Sequence, residues 1–274
     1  MKKRYDESYF LGELAQAGFS KVTIVESTTS TNDLGLSMID DGLSVGAMVI
    51  ADSQSSGRGR LGRKWYSPPG ANLYMSLVLP HKVEMSDASL FMVIAGVAVC
   101  DGVNRISGHE VNLKWPNDIV MGGRKLGGIL IETRTERNIV LAEVIGIGLN
   151  VNYKEEDLPP EIRGIATSLF MEGVSGVERG AIAVEIASSF AKQYSEVFEH
   201  GAGGIDVVNE TGRERLIDKW REYDITIGKL ITVSSAGTEF NARAIGLDIK
   251  GRLEVEREDG SREFIHSGDV TIII

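Results

Sequence analysis

Hydrophobic and polar positions alternate along the chain with two different periods, and these periods predict the secondary structure. A period near two residues indicates strands, and a period of three to four residues indicates helices. The pattern predicts strands at 22–26, 47–52, 72–79, 111–115, 119–121, 124–133 and 139–151. It predicts helices at 31–41, 87–106, 177–199 and 205–222.

The ends of several elements carry their own signals. Ser30 is a suitable N-cap for the first helix, Asp33 is the acid expected of a capping box, and Gly42 is suited to end the helix. The helix at 87–106 is apolar nearly all round, so we expect it to be buried. The pair Gly122-Gly123 between two predicted strands indicates a two-residue hairpin turn.

The pattern changes near residue 224. From Ile225 onward, short β-rich runs alternate with turns, which is typical of a small antiparallel barrel. We therefore predict a short leader at 1–21, a main domain at 22–223 and a small β-barrel domain at 224–274. The fold class is α+β, with helices packed on a mixed sheet in the main domain.

Composition limits the function classes. A net charge of −10 makes a general nucleic-acid surface unfavourable. The single cysteine, Cys100, allows neither a disulfide framework nor a cysteine metal site and indicates a reducing compartment. The N-terminus lacks the apolar core of a signal peptide, and the apolar run at 90–100 is shorter than the ~20 residues that span a bilayer. We expect a cytoplasmic protein with no membrane partner.

A glycine-rich basic loop, residues 57–64, is the first candidate site. It holds three glycines and four cations, so backbone N–H groups and guanidinium groups can approach an anion together. A phosphate or adenylate site, a solvated loop and a nucleic-acid contact all remain open from composition alone. Trp65, directly after the loop, either stacks on a nucleobase or anchors the end of the loop in the core.

The segment Lys114-Trp115-Pro116-Asn117-Asp118 is the second candidate site. Pro116 restricts the backbone, so the side chains of Asn117 and Asp118 are held in place. Asp118 is able to bind Mg²⁺ or to assist removal of a proton from an amine. The alternative is ordinary turn chemistry, for which Pro-Asn-Asp is common material.

Two predicted strands carry glycines beside polar residues. Strand alternation places Lys125 on the same face as Gly127, which leaves space beside the ammonium. In the next strand Gly146, Gly148 and Asn150 share one face. A flat ligand against the backbone explains such a glycine face, and close packing of a helix is the alternative.

Taken together, these segments resemble the biotin–protein ligase family. The matching motifs are Ser30-Thr31-Asn32, Gln54, GRGRLGRKW from Gly57, ANLYMS from Ala71, KWPNDI from Lys114, KLGGILIE from Lys125 and IGIGLNVN from Ile145. The resemblance implies a catalytic domain like that of class II aminoacyl-tRNA synthetases, followed by a small C-terminal β-barrel. It implies an ATP-dependent ligase that forms biotinyl-5′-AMP and transfers biotin to a lysine of a biotin-carrier domain of a biotin-dependent carboxylase.

The resemblance also implies roles for individual residues. Those of the biotin site are Ser30, Thr31, Asn32, Gln54, Arg58, Gly59, Arg60, Lys125 and Gly127. Those of the ATP or adenylate site are Arg58, Arg60, Trp65, Asn117, Lys125 and Asn150. The catalytic residues are Lys125, Arg58 and Asp118, and Asp118 is also the candidate ligand for Mg²⁺. The loop at 57–64 is expected to become ordered when it covers the bound adenylate.

Two departures from the family pattern bear on function. Leu61 stands where relatives often carry a basic or aromatic residue. The leucine removes a possible positive charge from the loop, but the glycines and arginines of the loop are kept. About twenty N-terminal residues cannot hold the helix-turn-helix domain of some relatives, so we expect no DNA partner.

Two alternative functions remain open: a lipoate or octanoate ligase, and a non-enzymatic ligand sensor. A homodimer that forms through a sheet edge is compatible with the fold.

Overall fold

A computed structural model of the chain describes residues 19–235, 237–266 and 268–273. The helices are α1 (Thr31–Asp40), α2 (Leu90–Ser107), α3 (Arg179–Val197) and α4 (Glu210–Tyr223). The first nine strands are β1 (Phe19–Thr28), β2 (Gly46–Gln54), β3 (Leu73–Glu84), β4 (Asn112–Lys114), β5 (Asp118–Met121), β6 (Arg124–Glu136), β7 (Ile139–Leu149), β8 (Phe198–His200) and β9 (Asp206–Val208). The last five are β10 (Leu230–Ser235), β11 (Thr238–Leu247), β12 (Leu253–Glu256), β13 (Arg262–Ile265) and β14 (Asp269–Ile272).

Within these residues, β1 to β9 form one mixed sheet. Its main order is β1-β2-β3-β7-β6-β5-β4, with the small β8–β9 hairpin joined to β3. The pair β1–β2 is parallel, whereas the long pairs β2–β3, β3–β7 and β6–β7 are antiparallel. The sheet therefore places β7, β6 and β3, which carry most of the candidate residues, at its centre.

The helices divide between the two faces of this sheet. Helices α2, α3 and α4 cover one face and form the main hydrophobic core with it. Helix α1 packs on the other face, where Gly35 lies against Val78 and Val144. The stretch Met85–Ser107 is long and apolar enough to cross a membrane, but 67% of its apolar window is buried inside the protein. Packing in the core accounts for its hydrophobicity.

The helices and strands predicted between residues 22 and 222 are confirmed in type and order, with two differences of detail. Ser30 caps α1, but Asp33 accepts a hydrogen bond from the Thr29 hydroxyl and pairs with Arg58, so the expected capping box is wrong. Helix α4 begins at Glu210 rather than near 205, because β8 and β9 use the intervening residues as a hairpin.

The C-terminal strands form a separate antiparallel sheet of order β13-β12-β11-β10-β14. The mixed sheet with packed helices and the all-β C-terminal unit agree with the predicted fold class. The predicted barrel is not closed, because the edge strands β13 and β14 do not pair in the described residues. The predicted leader falls largely outside the described residues, and β1 already begins at Phe19.

Glu143 is an unexpected residue in the centre of the sheet. It lies in β7 between Leu79 of β3 and Thr133 of β6, with 0% of its surface exposed. Neither carboxylate oxygen has a hydrogen-bond partner among the described residues. Burial raises the pKa of Glu143 well above its usual value because the charged form loses its hydration.

The raised pKa of Glu143 has a defined effect on stability. The native state favours the protonated acid, so the cost of ionising this carboxyl is absent below its ordinary pKa and grows as the pH rises above that value. We expect Glu143→Gln to raise the free energy of unfolding by about 1–3 kcal/mol near pH 8 and to have almost no effect near pH 4.5. Urea unfolding at both pH values measures this difference.

Glu110 is exposed, so the same Glu→Gln substitution at this position provides a matched control. Glu110→Gln should change the free energy of unfolding by less than about 0.5 kcal/mol at either pH. A Glu143→Gln variant that is destabilised equally at both pH values would show that the carboxyl is paired and charged in the native protein.

Candidate active site

The N-terminus of α1 presents a buried cluster of polar side chains. The Thr31 N–H and hydroxyl donate to the Gln54 Oε1 at 2.9 and 3.3 Å. The Ser76 hydroxyl lies 2.8 Å from Thr31 Oγ1 and 2.7 Å from Asn32 Oδ1. Ser30 caps the helix through a 3.3 Å bond from the Asn32 N–H. The cluster combines hydrogen-bond donors and acceptors at the positive end of a helix dipole.

The sequence analysis selected four residues of this cluster, Ser30, Thr31, Asn32 and Gln54. It missed Ser76 and the neighbouring Ser67. Ser76 lies within the ANLYMS motif on β3, and Ser67 follows the basic loop and accepts from the Gln54 side-chain amide at 2.9 Å. Both are buried, with 0% and 6% exposure. A serine on an otherwise apolar strand, such as Ser76, is the sequence signal that could have indicated it.

The basic loop is closed on itself as a short hairpin. Arg58 and Lys64 form an antiparallel bridge, and the Gly59 N–H donates to the Arg63 carbonyl at 2.7 Å. Leu61 occupies the turn with a φ of 56° and is 72% exposed. The loop therefore projects an apolar side chain to solvent and directs its arginines to either side.

Arg58 joins this loop to the α1 cluster. Its guanidinium contacts Asp33 at 2.7 Å and Glu132 at 2.9 Å, and Glu132 also accepts from the Asn32 amide at 2.8 Å. Burial opposes the charge, but the hydrogen bonds from Arg58 to Asp33 and Glu132 outweigh it and raise the pKa of Arg58. Glu132, at the end of the KLGGILIE motif, was not selected from the sequence.

Arg60 extends to the opposite side and reaches the C-terminal sheet. It donates to the Asn117 Oδ1 at 2.9 Å and to the Gly268 carbonyl at 3.0 Å, and it lies 3.6 Å from the Asp269 carboxylate. Arg63 also pairs with Asp269, at 2.5 Å. Burial lowers the pKa of Arg60, against the attraction of Asp269 and Asp118. Nothing in the sequence pattern indicated that Asp269 would face the loop.

Lys125 and Asp118 form an ion pair on β6 and β5. The ammonium lies 2.5 Å from the Asp118 Oδ1 and 5.8 Å from the centre of the Trp65 ring. The segment that follows β7 braces the lysine backbone, because the Lys125 N–H donates to Ile165 and its carbonyl accepts from Thr167. The fold thus brings together two candidate residues from different motifs, and the ammonium is partly exposed.

The expectation that Lys125 and Gly127 share a face is wrong. A bulge interrupts strand alternation, since Ile119 pairs with Gly127 but Val120 pairs with Lys125. A Cβ on Gly127 would meet Leu149 and Ile119 in the core, whereas one on Gly128 would lie 3.5 Å from the Lys125 side chain. Gly128 is therefore the glycine beside the ammonium.

Two glycines of β7 make room for side chains of the protein itself. A Cβ on Gly146 would lie 2.3 Å from the Asn32 amide oxygen, and one on Gly148 would lie 2.6 Å from the Trp65 indole. Gly148 pairs directly with Gly128 in β6. The glycine face is therefore covered by Asn32 and Trp65, with Lys125 beside them.

Two predicted adenylate residues already have partners within the chain. The Asn150 amide donates to the Thr167 carbonyl at 2.9 Å, and its oxygen accepts from Asn72 at 3.1 Å. Asn117 donates to the Ile129 carbonyl at 2.9 Å and accepts from Arg60. Both asparagines hold neighbouring segments in place, and their contact with a nucleotide stays a prediction.

No group of three or more His, Cys, Asp or Glu residues suited to a metal ion occurs in the described part of the chain. Asp118, the candidate magnesium ligand, already accepts a hydrogen bond from Lys125 through one of its carboxylate oxygens. What the site offers is a set of three cations, Arg58 and Arg60 from the basic loop and Lys125 from β6. Such a set can neutralise a phosphate and a carboxylate that are brought together.

Comparison with known proteins agrees with this arrangement. Residues 24–150 match the Biotin/lipoate A/B protein ligase family, and residues 226–272 match the biotin protein ligase C-terminal domain. The bifunctional ligase/repressor BirA of Bacillus spizizenii is 32% identical over 89% of this chain and 71% of its own length. The biotin–[acetyl-CoA-carboxylase] ligase of Mycobacterium tuberculosis is 29% identical over 93% of this chain and 90% of its own.

Solved structures give the same result. The biotin protein ligase of Aquifex aeolicus in complex with biotin and ATP superimposes with a TM-score of 0.72, at 25% identity, over 93% of this chain and 99% of that one. The Leishmania major enzyme in complex with biotinyl-5-AMP gives 0.60, at 25% identity, over 90% and 99%. From the sequence similarity, the shared fold and the motifs assembled on one sheet face, this chain belongs to the biotin protein ligase family.

Proposed function

We propose that this chain is an ATP-dependent biotin–protein ligase that converts biotin and ATP to biotinyl-5′-AMP and then biotinylates a lysine of a carrier domain. One observation carries the proposal. Three separate motifs meet over Gly146, Gly148 and Gly128 of two neighbouring strands: the α1 N-terminus, the end of the basic loop, and Lys125. Polar recognition, aromatic surface and positive charge are thereby combined in one place.

The proposed biotin end of the site is the α1 cluster. Ser30, Thr31, Asn32 and Gln54 offer the paired donors and acceptors that a ureido ring requires, and Ser76 belongs to the same network. A linear acyl chain would leave these buried polar groups without a ligand partner, which is costly. The cluster therefore favours biotin over lipoate or octanoate.

In the first step, the biotin carboxylate attacks the α-phosphorus of ATP and pyrophosphate leaves. Both reactants are anionic, so the step requires positive charge around the carboxylate and the phosphate. We assign that role to Lys125, Arg58 and Arg60. Gly59 keeps the loop backbone open for close approach, and Trp65 offers a ring surface for the adenine.

In the second step, the neutral amine of the acceptor lysine attacks the acyl carbon and AMP departs. A free lysine is protonated at neutral pH, so it must lose a proton before it attacks. Asp118 is our candidate to assist that loss. Its present bond to Lys125 also gives it a positioning role in the first step.

Mg²⁺ bound to the phosphates of ATP would supply further positive charge for the first step. The phosphates would supply most of its ligands, as is usual when Mg²⁺ is held by only one or two carboxylates. Asp118 is the residue that we propose to complete its coordination from the protein side. The carrier domain of a biotin-dependent carboxylase is the proposed acceptor, in a cytoplasmic setting where ATP is abundant.

The deciding experiment incubates the full chain with ATP, Mg²⁺, biotin and an isolated biotin-carrier domain. Mass spectrometry should show that the carrier gains one biotinyl group on one lysine, and a carrier with that lysine replaced by arginine should gain none. Lipoate in place of biotin should give no modification. A carrier modified by lipoate but not by biotin would reassign the chain to the other branch of the family.

Lys125→Ala should lower biotin-dependent exchange of pyrophosphate into ATP by about 10²–10³-fold, because the ammonium is the cation nearest the meeting point of the reactants. Lys192→Ala removes an equal charge from an exposed position on α3 and serves as the control. Equal exchange rates for Lys125→Ala and the wild type would rule out the charge-stabilising role.

Arg58→Gly should loosen the hold on the adenylate, so that bystander proteins become biotinylated on their lysines. The variant loses the bonds that tie the loop to Glu132 and Asp33. Arg63→Gly removes the same charge from an exposed position and should release much less adenylate. Release is measured as free biotinyl-5′-AMP after rapid filtration, and retention equal to the wild type would contradict the proposed role of Arg58.

Gly148→Ala should displace the Trp65 indole, whose nearest atoms lie 2.6 Å from the new Cβ. We expect a loss of about 1–3 kcal/mol of stability, a change in tryptophan emission and weaker ATP binding. Gly128→Ala is the matched control, since its Cβ would make an ordinary contact of 3.5 Å with Lys125. Unchanged emission and ATP affinity in Gly148→Ala would remove Trp65 from the nucleotide site.

A further inference from the structure

The Glu132 carboxylate bonds to two candidate motifs that are separate in the chain. Both of its oxygens accept from the Arg58 Nη2, at 3.1 and 2.9 Å. Its Oε2 also accepts from the Asn32 amide at 2.8 Å. Asn32 belongs to the α1 cluster and Arg58 to the basic loop, so a single side chain bridges the cluster and the loop. Neither proposed step of the reaction uses Glu132.

The sheet directs the Glu132 side chain toward α1. Glu132 of β6 pairs with Val144 of β7. Residues that pair directly in neighbouring strands project to the same face of a sheet. On this face the Val144 side chain meets Gly35 of α1. The carboxylate therefore extends from the strand on the face that α1 covers.

Glu132 lies at the border between the buried and the exposed parts of the site. Its side chain is 29% exposed and that of Arg58 is 35% exposed, whereas Asn32 is only 2% exposed. Hydrogen bonds that include a charged partner are about twice as strong as neutral ones, and solvent screens them less when they are partly buried. These contacts can therefore hold both partners in place.

The Asn32 side chain is fixed by three partners. Its amide nitrogen donates to Glu132 and, at 3.2 Å, to the Leu130 carbonyl, and its oxygen accepts from the Ser76 hydroxyl at 2.7 Å. Loss of the carboxylate would take one acceptor from the amide of a buried residue, which is unfavourable. Glu132 therefore contributes to the orientation of Asn32 in the proposed biotin end of the site.

Asp33 is the second acid that contacts Arg58, and it provides a comparison within the same site. Its carboxylate lies 2.7 Å from the Arg58 guanidinium and accepts from the Thr29 hydroxyl at 2.9 Å. In the part of the chain that the structure describes, no side-chain hydrogen bond joins Asp33 to Asn32. Asp33 therefore shares the arginine with Glu132 but does not share the asparagine.

We propose that Glu132 is a positioning residue, which orients Asn32 in the pocket for biotin and anchors Arg58 of the loop that covers the adenylate. It acts through these two residues and not by contact with the reacting atoms. Biotin affinity and retention of the adenylate then depend on the same carboxylate, and both should fall when it is removed. This inference rests on the proposed function and deepens it.

The test measures two quantities on the full chain. Isothermal titration calorimetry without ATP gives the affinity for biotin. Rapid filtration after incubation with biotin, ATP and Mg²⁺ gives the rate of adenylate release. Glu132→Ala removes both contacts, so it should weaken biotin binding by about 10- to 100-fold and speed release by at least about tenfold.

Asp33→Ala removes a contact with Arg58 but none with Asn32. It should therefore speed adenylate release and keep the biotin affinity within about threefold of the wild type. Equal biotin affinities for Glu132→Ala and Asp33→Ala would overturn the proposed link to Asn32.

Glu132→Gln separates the two contacts, and it keeps the proposal testable if the alanine variant fails to fold. The amide oxygen of the glutamine can still accept from Asn32, but the side chain has no charge for Arg58. The biotin affinity should stay within about threefold of the wild type, whereas adenylate release should be at least about threefold faster. Release as slow as that of the wild type would overturn the anchoring role.

A double-mutant cycle tests whether Glu132 holds the adenylate through Arg58. In the Arg58→Gly background the anchored group is absent, so Glu132→Gln should not speed release any further. Effects of the two substitutions that multiply independently would contradict the proposal.

Glu136 is exposed at the end of the same strand, so Glu136→Ala is the control for loss of an acidic charge from β6. It should match the wild type in both measurements. A wild-type chain that binds no biotin would overturn the proposed function and this inference with it. An active wild type whose Glu132 variants are unaffected would overturn this inference alone.

Discussion

The absence of a Cβ atom at two positions of β7 is the constraint on which the candidate site depends. Gly146 and Gly148 allow Asn32 and Trp65 to lie directly against β7. Glycine is normally unfavourable inside a strand because it adds no packing surface and loses more backbone entropy. Here that loss is offset by the side chains that pack into the vacated space.

The two faces of the central sheet serve different purposes, and the alternation of side chains separates them. One face of β7 carries the glycines and meets polar groups, while the other carries Ile145, Ile147 and Glu143 and meets the helical core. A shift of register by one residue would exchange these sets. The long antiparallel pairings with β3 and β6 hold the register.

Much of this organisation could be predicted from the sequence, because it is local. The capping serine of α1, the Gly122-Gly123 turn and the buried helix at 87–106 all follow from short-range patterns, and the structure contains them. The family motifs also selected both Lys125 and Asp118, although the ion pair between them was not predicted. The separation into domains and the individual ligand contacts stay predictions.

The remaining features depend on contacts between distant parts of the chain. The bulge that moves Lys125 beside Gly128 has no signature in strand periodicity, and strict alternation therefore selected Gly127. Asp33 was assigned to a helix cap because its partner, Arg58, comes from a later loop. Glu132, Ser76 and Asp269 are ordinary residues in the sequence that become important only when folding brings the motifs to them.

The contacts of Arg60 and Arg63 with Asp269 connect the C-terminal sheet to the basic loop of the candidate site. Its last strand supplies the counter-charge for a loop more than two hundred residues earlier in the chain. That sheet therefore forms part of the outer wall of the candidate site. A rearrangement at the terminal strand would therefore be transmitted directly to the basic loop.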